Sequence, residues 1–320
     1  MTLAVHIERV SKRFGNHTAV DALSFDVPTG VIYGVLGPNG AGKSTTLRMM
    51  NDIIAPDDGR IELLGGLAPG GAAAARIGFL PEERGLYPKM QVGEMIAFFG
   101  ELRGLTGRDA RTRARAWLER LGLGQWEKNK VQDLSKGMQQ KVQFAGALIH
   151  EPELVILDEP WSGLDPINAD VLREVVHELR DAGKTVLFST HQMEQAEKIC
   201  EHICIIARGK KVLDGKLAEL KRAAAEEGRV MLGFADAAAA TAAAAVLADP
   251  ALVVPPPVDH ALDREVQLAP GAPAQRLLEA LVGAGVGLRR FEVVTPSLHD
   301  LFVERVGREN AEIAARRDEA

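Results

Sequence analysis

The chain has 320 residues, a net charge of −6 and a mean hydropathy of −0.03. This balance is typical of a globular protein, and the length suits one large domain or two of ordinary size. No apolar run approaches the roughly 20 residues that a membrane-spanning helix needs, and the N-terminus lacks the apolar core of a signal peptide. The acidic balance excludes nucleic-acid binding through a general basic field. With its two cysteines the chain has too few for a disulfide framework, which indicates a reduced, cytoplasmic compartment.

Short β-rich runs alternate with helical stretches over residues 1–222. The alternation predicts an α/β domain with a mainly parallel sheet. Between about residues 88 and 150 the strand signals vanish and helical periodicity predicts an inserted helical subdomain. The strands and the helix that we expect most clearly in this domain are Val31–Leu36, Leu154–Leu157, Thr185–Ser189, Ile203–Ala207 and the helix Asn168–Ala182.

The composition changes after about residue 222, where an alanine-rich stretch and three consecutive prolines follow. The order of elements over residues 223–306 predicts a small two-layer α+β domain of the β-α-β-β-α-β type. Residues 307–320 have mixed charge and no apolar face, so we predict a mobile tail. The predicted elements of this domain are the strand Arg229–Ala235, the helix Asp236–Ala248, strands near Val253 and Val266, the helix Gln275–Val282 and the strand Gly287–Val294.

A phosphate-loop pattern, G-x4-G-K-[ST], runs from Gly37 to Ser44. It follows a predicted strand and opens a helix, which is the context that the motif requires. Its glycines let backbone N–H groups turn toward phosphate oxygens, and the helix N-terminus adds a positive dipole end. We expect Lys43 to reach the β- and γ-phosphates of a nucleotide and Ser44 to hold Mg²⁺. The predicted nucleotide contacts are Gly37, Pro38, Asn39, Gly40, Ala41, Gly42, Lys43, Ser44 and Thr45.

Two acids, Asp158 and Glu159, end the apolar strand that begins at Leu154. A buried parallel strand delivers the carboxylates at its C-terminal end to the sheet edge where ligands bind. We therefore expect Asp158 to reach Mg²⁺ through a water molecule, and Glu159 to polarise the water that attacks the phosphate.

The segment Leu134-Ser135-Lys136-Gly137-Met138 resembles the signature sequence, LSGGQ, of ATP-binding cassette (ABC) ATPases. Lys136 and Met138 replace the commonest Gly and Gln of that signature. The resemblance implies that Ser135 and Gly137 close on the γ-phosphate of an ATP bound by a second ATPase subunit in a head-to-tail dimer. We expect the second subunit to be another copy of this chain, a homodimer, while a heterodimer stays open.

Further motifs of the family follow. Residues 162–166, Ser-Gly-Leu-Asp-Pro, look like the D-loop, and His191, after a predicted strand, looks like the switch histidine that hydrogen-bonds the γ-phosphate. Phe14 matches the aromatic residue that stacks on adenine, with core packing as its alternative. Glu82 stands where the family usually has a Mg²⁺-contacting Gln, so the resemblance implies that a carboxylate replaces an amide at the metal.

The segments 81–90 and 295–302 resemble the export-type branch of the family that includes bacterial sodium-export ATPases. The resemblance implies a P-loop ABC ATPase domain with a small α+β C-terminal domain, which binds ATP and Mg²⁺ and has no nucleic-acid partner. The chain would be a cytoplasmic ATPase, peripheral at the inner face of the membrane, that powers an integral membrane permease on a separate chain. The alternative is a soluble ABC ATPase acting on ribosomes or DNA. Such relatives usually carry two cassettes or long coiled-coil insertions, and neither occurs in this sequence.

Overall fold

The computed structural model describes residues 2–226, 228–254, 262–294 and 296–305. The predicted tail at 307–320 and the three consecutive prolines at 255–257 lie outside the described residues. The chain divides into two compact units, which meet in sequence after residue 216. The first contains residues 2–216, and the second is Leu217–Glu304.

Strands and helices alternate in the first unit as its sequence predicts. Its strands, in chain order, are β1 (Leu3–Phe14), β2 (His17–Pro28), β3 (Ile32–Leu36), β4 (Asp58–Leu63), β5 (Ile77–Leu80), β6 (Leu154–Asp158), β7 (Thr185–Thr190), β8 (His202–Ala207) and β9 (Lys210–Lys216). Its α-helices are α1 (Lys43–Met50), α2 (Gly71–Ala74), α3 (Val92–Leu102), α4 (Gly107–Arg120), α5 (Lys136–Leu148), α6 (Pro166–Asp181) and α7 (Met193–Ile199). Two 3₁₀ turns, Gly124–Trp126 and Val131–Asp133, lie between α4 and α5.

The central sheet has six strands in the order β5-β6-β7-β3-β8-β9. The first five run parallel, and β9 pairs antiparallel with β8. Every residue of β3, β6 and β7 is buried, as expected for parallel strands that are covered on both faces. The predicted parallel sheet is therefore confirmed, and its strands end along one edge, where polar residues follow β3, β6 and β7.

A second, antiparallel sheet in the first unit has the order β2-β1-β4. These strands were not among those expected from the sequence. The pairing of β1 with β2 shifts register at several points, and Arg9 and Ala22 both have a φ of 48°. Such irregularities interrupt the two-residue alternation by which a strand is recognised in a sequence.

The helices α3, α4 and α5 pack on one another within the segment that was predicted to be helical. The buried positions of α4 are Ala110, Ala114 and Leu118, and most of its arginines are exposed. The helix α5 is different, because all residues from 140 to 148 are buried. It therefore runs through the interior of the first unit.

The second unit begins with α8 (Leu217–Glu226) and contains a four-stranded antiparallel sheet with its own apolar core. The observed order of elements agrees with the β-α-β-β-α-β pattern, and the sheet order is β11-β12-β10-β13. Its other elements are β10 (Arg229–Phe234), α9 (Ala237–Ala242), α10 (Ala244–Leu247), β11 (Val253–Val254), β12 (Asp263–Leu268), α11 (Ala274–Gly283) and β13 (Leu288–Val293), and residues 298–304 are also helical.

The single helix predicted over 236–248 is wrong in one detail, because the structure has α9 and α10 there instead. The two helices meet at Ala243, whose angles (φ −66°, ψ −20°) remain helical. The interruption is therefore a local change in hydrogen bonding within a continuous right-handed turn. No helix among the described residues is long and apolar enough to cross a membrane.

Candidate nucleotide site

The loop between β3 and α1 passes so close to neighbouring backbone that two of its residues must be glycine. Gly37 and Gly42 have φ angles of 149° and 104°. A Cβ at Gly37 would lie 2.1 Å from the carbonyl oxygen of Ile206, and one at Gly42 would lie 2.4 Å from that of Ala19. Any other residue at either position would displace the loop. Gly40 has a φ of 77°, which favours glycine, and no atom lies near the position that its Cβ would occupy.

Lys43, the first residue of α1, is buried, with only 6% of its surface exposed. Its Nζ donates hydrogen bonds to the carbonyl oxygens of Gly37 at 2.8 Å and Pro38 at 3.2 Å, and lies 3.7 Å from Glu159 Oε1. Burial lowers the pKa of the Lys43 ammonium, while the negative charges of Glu159, Asp158 and Glu82 oppose that shift. Lys43 is thus a buried cation held inside the loop by the carbonyls of two of its residues.

Asp158, at the end of β6, is 1% exposed and accepts two hydrogen bonds from hydroxyls. Ser44 Oγ donates to Asp158 Oδ1 at 3.1 Å, and Ser189 Oγ donates to the same oxygen at 2.5 Å. The described residues include no cluster of three or more His, Cys, Asp or Glu side chains that could hold a metal ion. A hydroxyl beside one carboxylate nevertheless fits Mg²⁺, which usually keeps several water and phosphate ligands.

Glu159 follows β6 with a φ of 49°, an uncommon conformation for a residue other than glycine. Glu159 is 7% exposed, and its carboxylate is held at both oxygens. His191 donates to Oε1 from its backbone N at 3.1 Å and from Nδ1 at 2.9 Å, and Thr190 Oγ1 donates to Oε2 at 3.2 Å. Strained backbone with this much support is characteristic of functional sites. The arrangement fixes a carboxylate beside Lys43, where it can accept a proton from a water molecule.

Lys43, Ser44, Glu159 and His191 face one cleft of about 460 Å³. Phe14 lies at its edge and is 50% exposed, which excludes the core-packing alternative and leaves a ring face for stacking on a base. Glu82 also borders the cleft. The complete lining is Phe14, His17, Ala19, Asn39, Gly40, Ala41, Gly42, Lys43, Ser44, Thr45, Glu82, Glu159, Ser162 and His191.

Five predicted site residues are not among the residues that line this cleft: Gly37, Pro38, Ser135, Gly137 and Asp158. Asp158 lies beneath the cleft's lining residue Ser44, to which it is hydrogen-bonded. Ser135 is the N-cap of α5, and its Oγ accepts a hydrogen bond from the backbone N of Met138 at 3.3 Å. Gly37 and Pro38 participate through the carbonyls that hold Lys43 rather than through the lining.

The role of Ser189 was not predicted from the sequence. Besides donating to Asp158, its Oγ accepts a hydrogen bond from the backbone N of Glu159 at 3.1 Å, so one hydroxyl orients both acids. The signal was available, because a polar residue ends an apolar strand that pairs with β6. His17 was also missed. The Gly15-Asn16 pair between two β-rich runs is a hairpin signal that could have located it.

The fold and this cleft define a P-loop nucleotide-binding protein. Comparison with known proteins gives the family. The ABC transporter family matches residues 20–162, and the C-terminal domain family of "ATP-binding protein DrrA1-3-like" matches residues 215–306.

An uncharacterised ABC transporter ATP-binding protein of Bacillus subtilis, YhaQ, is 40% identical over 301 residues, which cover 94% of this chain and 98% of that protein. The Nod factor export ATP-binding protein I of Ralstonia nicotianae is 41% identical over 221 residues, 68% of this chain and 69% of the relative. A solved structure of an ATP-binding subunit of an ABC transporter has a TM-score of 0.64 at 28% identity. It covers 69% of this chain and 93% of that one.

The chain belongs to the family of ABC transporter ATP-binding proteins. It binds ATP and is an ATPase. The family and the fold class expected from the sequence are both confirmed.

Proposed function

We propose that this chain is the ATP-hydrolysing subunit of an ABC exporter. The permease would be an integral membrane protein on a separate chain, and this subunit would lie at the cytoplasmic face of the membrane. The export relative and the match to the DrrA1-3-like C-terminal domain support this assignment. The observation that carries the ATPase half of the proposal is the contact of two buried side chains, Lys43 and Glu159, with each other and of Glu159 with His191 at one cleft.

Glu159 is proposed as the general base. The Nζ of Lys43 lies 3.7 Å from its Oε1, and His191 and Thr190 hold both of its oxygens in place. A carboxylate in this position can accept a proton as water attacks the γ-phosphate. His191 contacts Glu159 through Nδ1, so Nε2 is the ring nitrogen left for the γ-phosphate, and a hydrogen bond there requires an N–H on Nε2 because phosphate oxygens only accept.

Lys43 and the loop from Gly37 to Thr45 are proposed to hold the phosphates of ATP. Phosphoryl transfer needs mainly positioning and neutralisation of charge, and a buried ammonium with adjacent backbone N–H groups supplies both. The Nζ of Lys43 would exchange its bonds to the carbonyls of Gly37 and Pro38 for bonds to phosphate oxygens. Phe14, half-exposed at the cleft edge, would stack on the adenine.

Ser44, Asp158 and Glu82 are the proposed holders of Mg²⁺. The bond between Ser44 and Asp158 brings a hydroxyl and a carboxylate together, and both are oxygen donors of the kind that Mg²⁺ prefers. When bound, the ion would neutralise charge on the phosphates. Ser189 would orient Asp158 for this purpose through its 2.5 Å hydrogen bond.

Two subunits are proposed to close head to tail around two ATP molecules. Ser135 and Gly137 would bind the γ-phosphate held by the other subunit, because they lie at the N-terminus of α5, a position that favours anions. The residues after β5 and the helix α3 are proposed to receive the permease. Tyr87, which is exposed and makes an edge contact with Phe98, gives that surface an apolar patch.

The experiment uses Glu159→Gln, which keeps the shape of the site but removes the base. The variant, loaded with ATP, is used as bait in detergent-solubilised membranes of the source cell, and bound proteins are identified by mass spectrometry. A polytopic membrane protein in stoichiometric amounts supports the exporter. Ribosomal proteins or DNA without a membrane protein would instead support the soluble alternative. Lys43→Ala, which removes the phosphate-binding ammonium, is the matched control and should lose ATP-dependent recovery.

A further inference from the structure

The buried helix α5 reaches the loop that carries Glu82 through one side chain. Gln143 is 5% exposed, and its Nε2 donates to the carbonyl oxygens of Pro81 and Glu83, both at 3.1 Å. These are the two carbonyls on either side of Glu82. The backbone of Glu82 is thus held at both flanks while its side chain borders the nucleotide cleft.

The other end of the same amide is left without a partner. Gln143 Oε1 is buried and has no hydrogen-bond donor among the described residues. Two carbonyls can be bonded only by the NH₂ group, so this geometry forces the oxygen to the unpartnered side. A buried acceptor without a donor is unfavourable, and an unbranched apolar side chain would avoid it. The contribution that distinguishes glutamine at this position is therefore its pair of bonds to the Glu82 loop.

A second glutamine on α5, one turn earlier, makes a parallel contact. Gln140 is also buried, and its Nε2 donates at 3.2 Å to the carbonyl oxygen of Pro160, the residue after Glu159. One buried helix thus contacts the loops of both acidic residues, Glu82 and Glu159. Gln143 makes the more specific contact, since it bonds on both sides of the acid.

We propose that Gln143 is a positioning residue that holds the Glu82 carboxylate at the cation position of the cleft. This inference rests on the proposed role of Glu82 as a ligand of Mg²⁺ and adds the group that places it there. A purely structural Gln143 would instead affect folding stability alone, without any change in cation affinity.

The test measures the affinity of Mn²⁺, a spectroscopic substitute for Mg²⁺, by electron paramagnetic resonance on the full chain with a non-hydrolysable ATP analogue. Gln143→Met keeps the length of the side chain but removes both donors. We expect it to raise the Mn²⁺ dissociation constant about three- to tenfold, the effect of losing one or two hydrogen bonds. Glu82→Ala should raise the Mn²⁺ dissociation constant at least as much. The double variant should resemble Glu82→Ala, because both substitutions remove the same interaction with the cation.

His150→Leu is the matched control. His150 follows α5, and its Nε2 lies 3.1 Å from the carbonyl oxygen of Ile77 at the opposite end of β5, so the variant should keep wild-type Mn²⁺ affinity. Wild-type affinity in Gln143→Met, with Glu82→Ala impaired, would overturn the positioning role alone. Effects that multiply in the double variant would also overturn it. If Glu82→Ala has no effect, the metal role of Glu82 and this inference both fail. Thermal unfolding of each variant identifies any that is not folded, and Gln143→Leu, which also lacks the donors and adds no charge beside the cation position, then replaces Gln143→Met.

Discussion

The two units of the chain differ in whether they bury polar and charged side chains. Among the described residues, every buried polar or charged side chain belongs to the first unit, including Lys43, Asp158 and Glu159. In the second unit the charged side chains pair nearer the surface, as Arg289 does with Asp263 and Arg290 with Glu292. The first unit therefore carries a few charges where water screens them poorly, and the described residues of the second unit carry none there.

The type of sheet explains this difference. The parallel strands β3, β6 and β7 are buried along their whole length. The residues that directly follow these strands therefore lie close to the protein interior. The strand β12, by contrast, has exposed and half-buried residues as well as buried ones. The charged side chains of this antiparallel sheet therefore stay near solvent. Exposed ion pairs contribute little to stability, whereas buried charges interact strongly and suit catalysis. We therefore expect substitutions at the buried polar groups of the first unit to change chemistry, and substitutions in the apolar core of the second to change stability.

The largest effect is expected at Glu159. Glu159→Gln should lower the rate of ATP hydrolysis about 10²- to 10⁴-fold, because the amide cannot accept a proton, while ATP still binds. Phosphate release measures the rate, and equilibrium binding measures the affinity. Glu153→Gln changes an acid of the same unit that pairs with Arg76 outside the cleft, and it should hydrolyse ATP normally. A wild-type rate in Glu159→Gln would remove this residue from the mechanism.

The next effect is expected in the core of the second unit. Phe234 is fully buried in that core, and Phe234→Ala should lower the free energy of unfolding of this unit by about 3–5 kcal/mol. Hydrogen exchange should lose protection at β10 and keep it at β6, because the buried residues of β6 and β10 belong to separate apolar clusters. An equal loss of hydrogen-exchange protection at β6 and β10 would show that the two units do not have independent cores. Val293→Ala, at a half-exposed position on β13, is the control with little expected loss.

A smaller effect is expected at the edge of the cleft. Phe14→Ala should weaken ATP binding by about 1–2 kcal/mol, since it removes a stacking surface for adenine. Phe14→Tyr keeps an aromatic face and should bind ATP as the parent does. Isothermal titration with a non-hydrolysable analogue measures both, and equal affinity of the alanine and tyrosine variants would exclude stacking.

The smallest effects concern two aspartates that cap helical segments, one in each unit. Asp165 accepts a hydrogen bond from the backbone N of Asn168, and the Ser297 hydroxyl and backbone N–H donate to Asp300. These bonds lower the pKa of both carboxyls. Because the folded pKa lies below the unfolded one, the stabilisation is present above the unfolded value, about 3.9, and is lost as the pH falls through the folded value.

Asp165→Ala and Asp300→Ala should therefore each lower Tm slightly at pH 6, with a difference from the parent that shrinks toward pH 3. Thermal unfolding across this range measures it. Similar behaviour in both units is expected because both carboxylates are near the surface. A pH-independent difference would mean that the ionised form of the aspartate is not what stabilises the helix.

Much of the fold could be predicted because its central strands are continuous apolar runs. The strands β3, β6, β7 and β8 lie within a residue of their predicted bounds at each end. The antiparallel sheet of β1, β2 and β4 could not be predicted in the same way, since its bulges interrupt the alternation. The alanine-rich helix was placed correctly but not its interruption at Ala243, because identical side chains carry no signal for a local change in hydrogen bonding.

The sequence by itself determined the parts of the site that are contiguous motifs, the loop from Gly37 to Ser44 and the pair of acids that ends β6. Their chemistry follows from residue type and from the strand before them. Only the tertiary structure decided which groups support them. Ser189 bonds Asp158 from 31 residues away, and Gln143 bonds the carbonyl of Glu83 from 60 residues away. Such contacts depend on sheet register and on the path of a buried helix, and the order of residues along the chain does not show which groups they bring together.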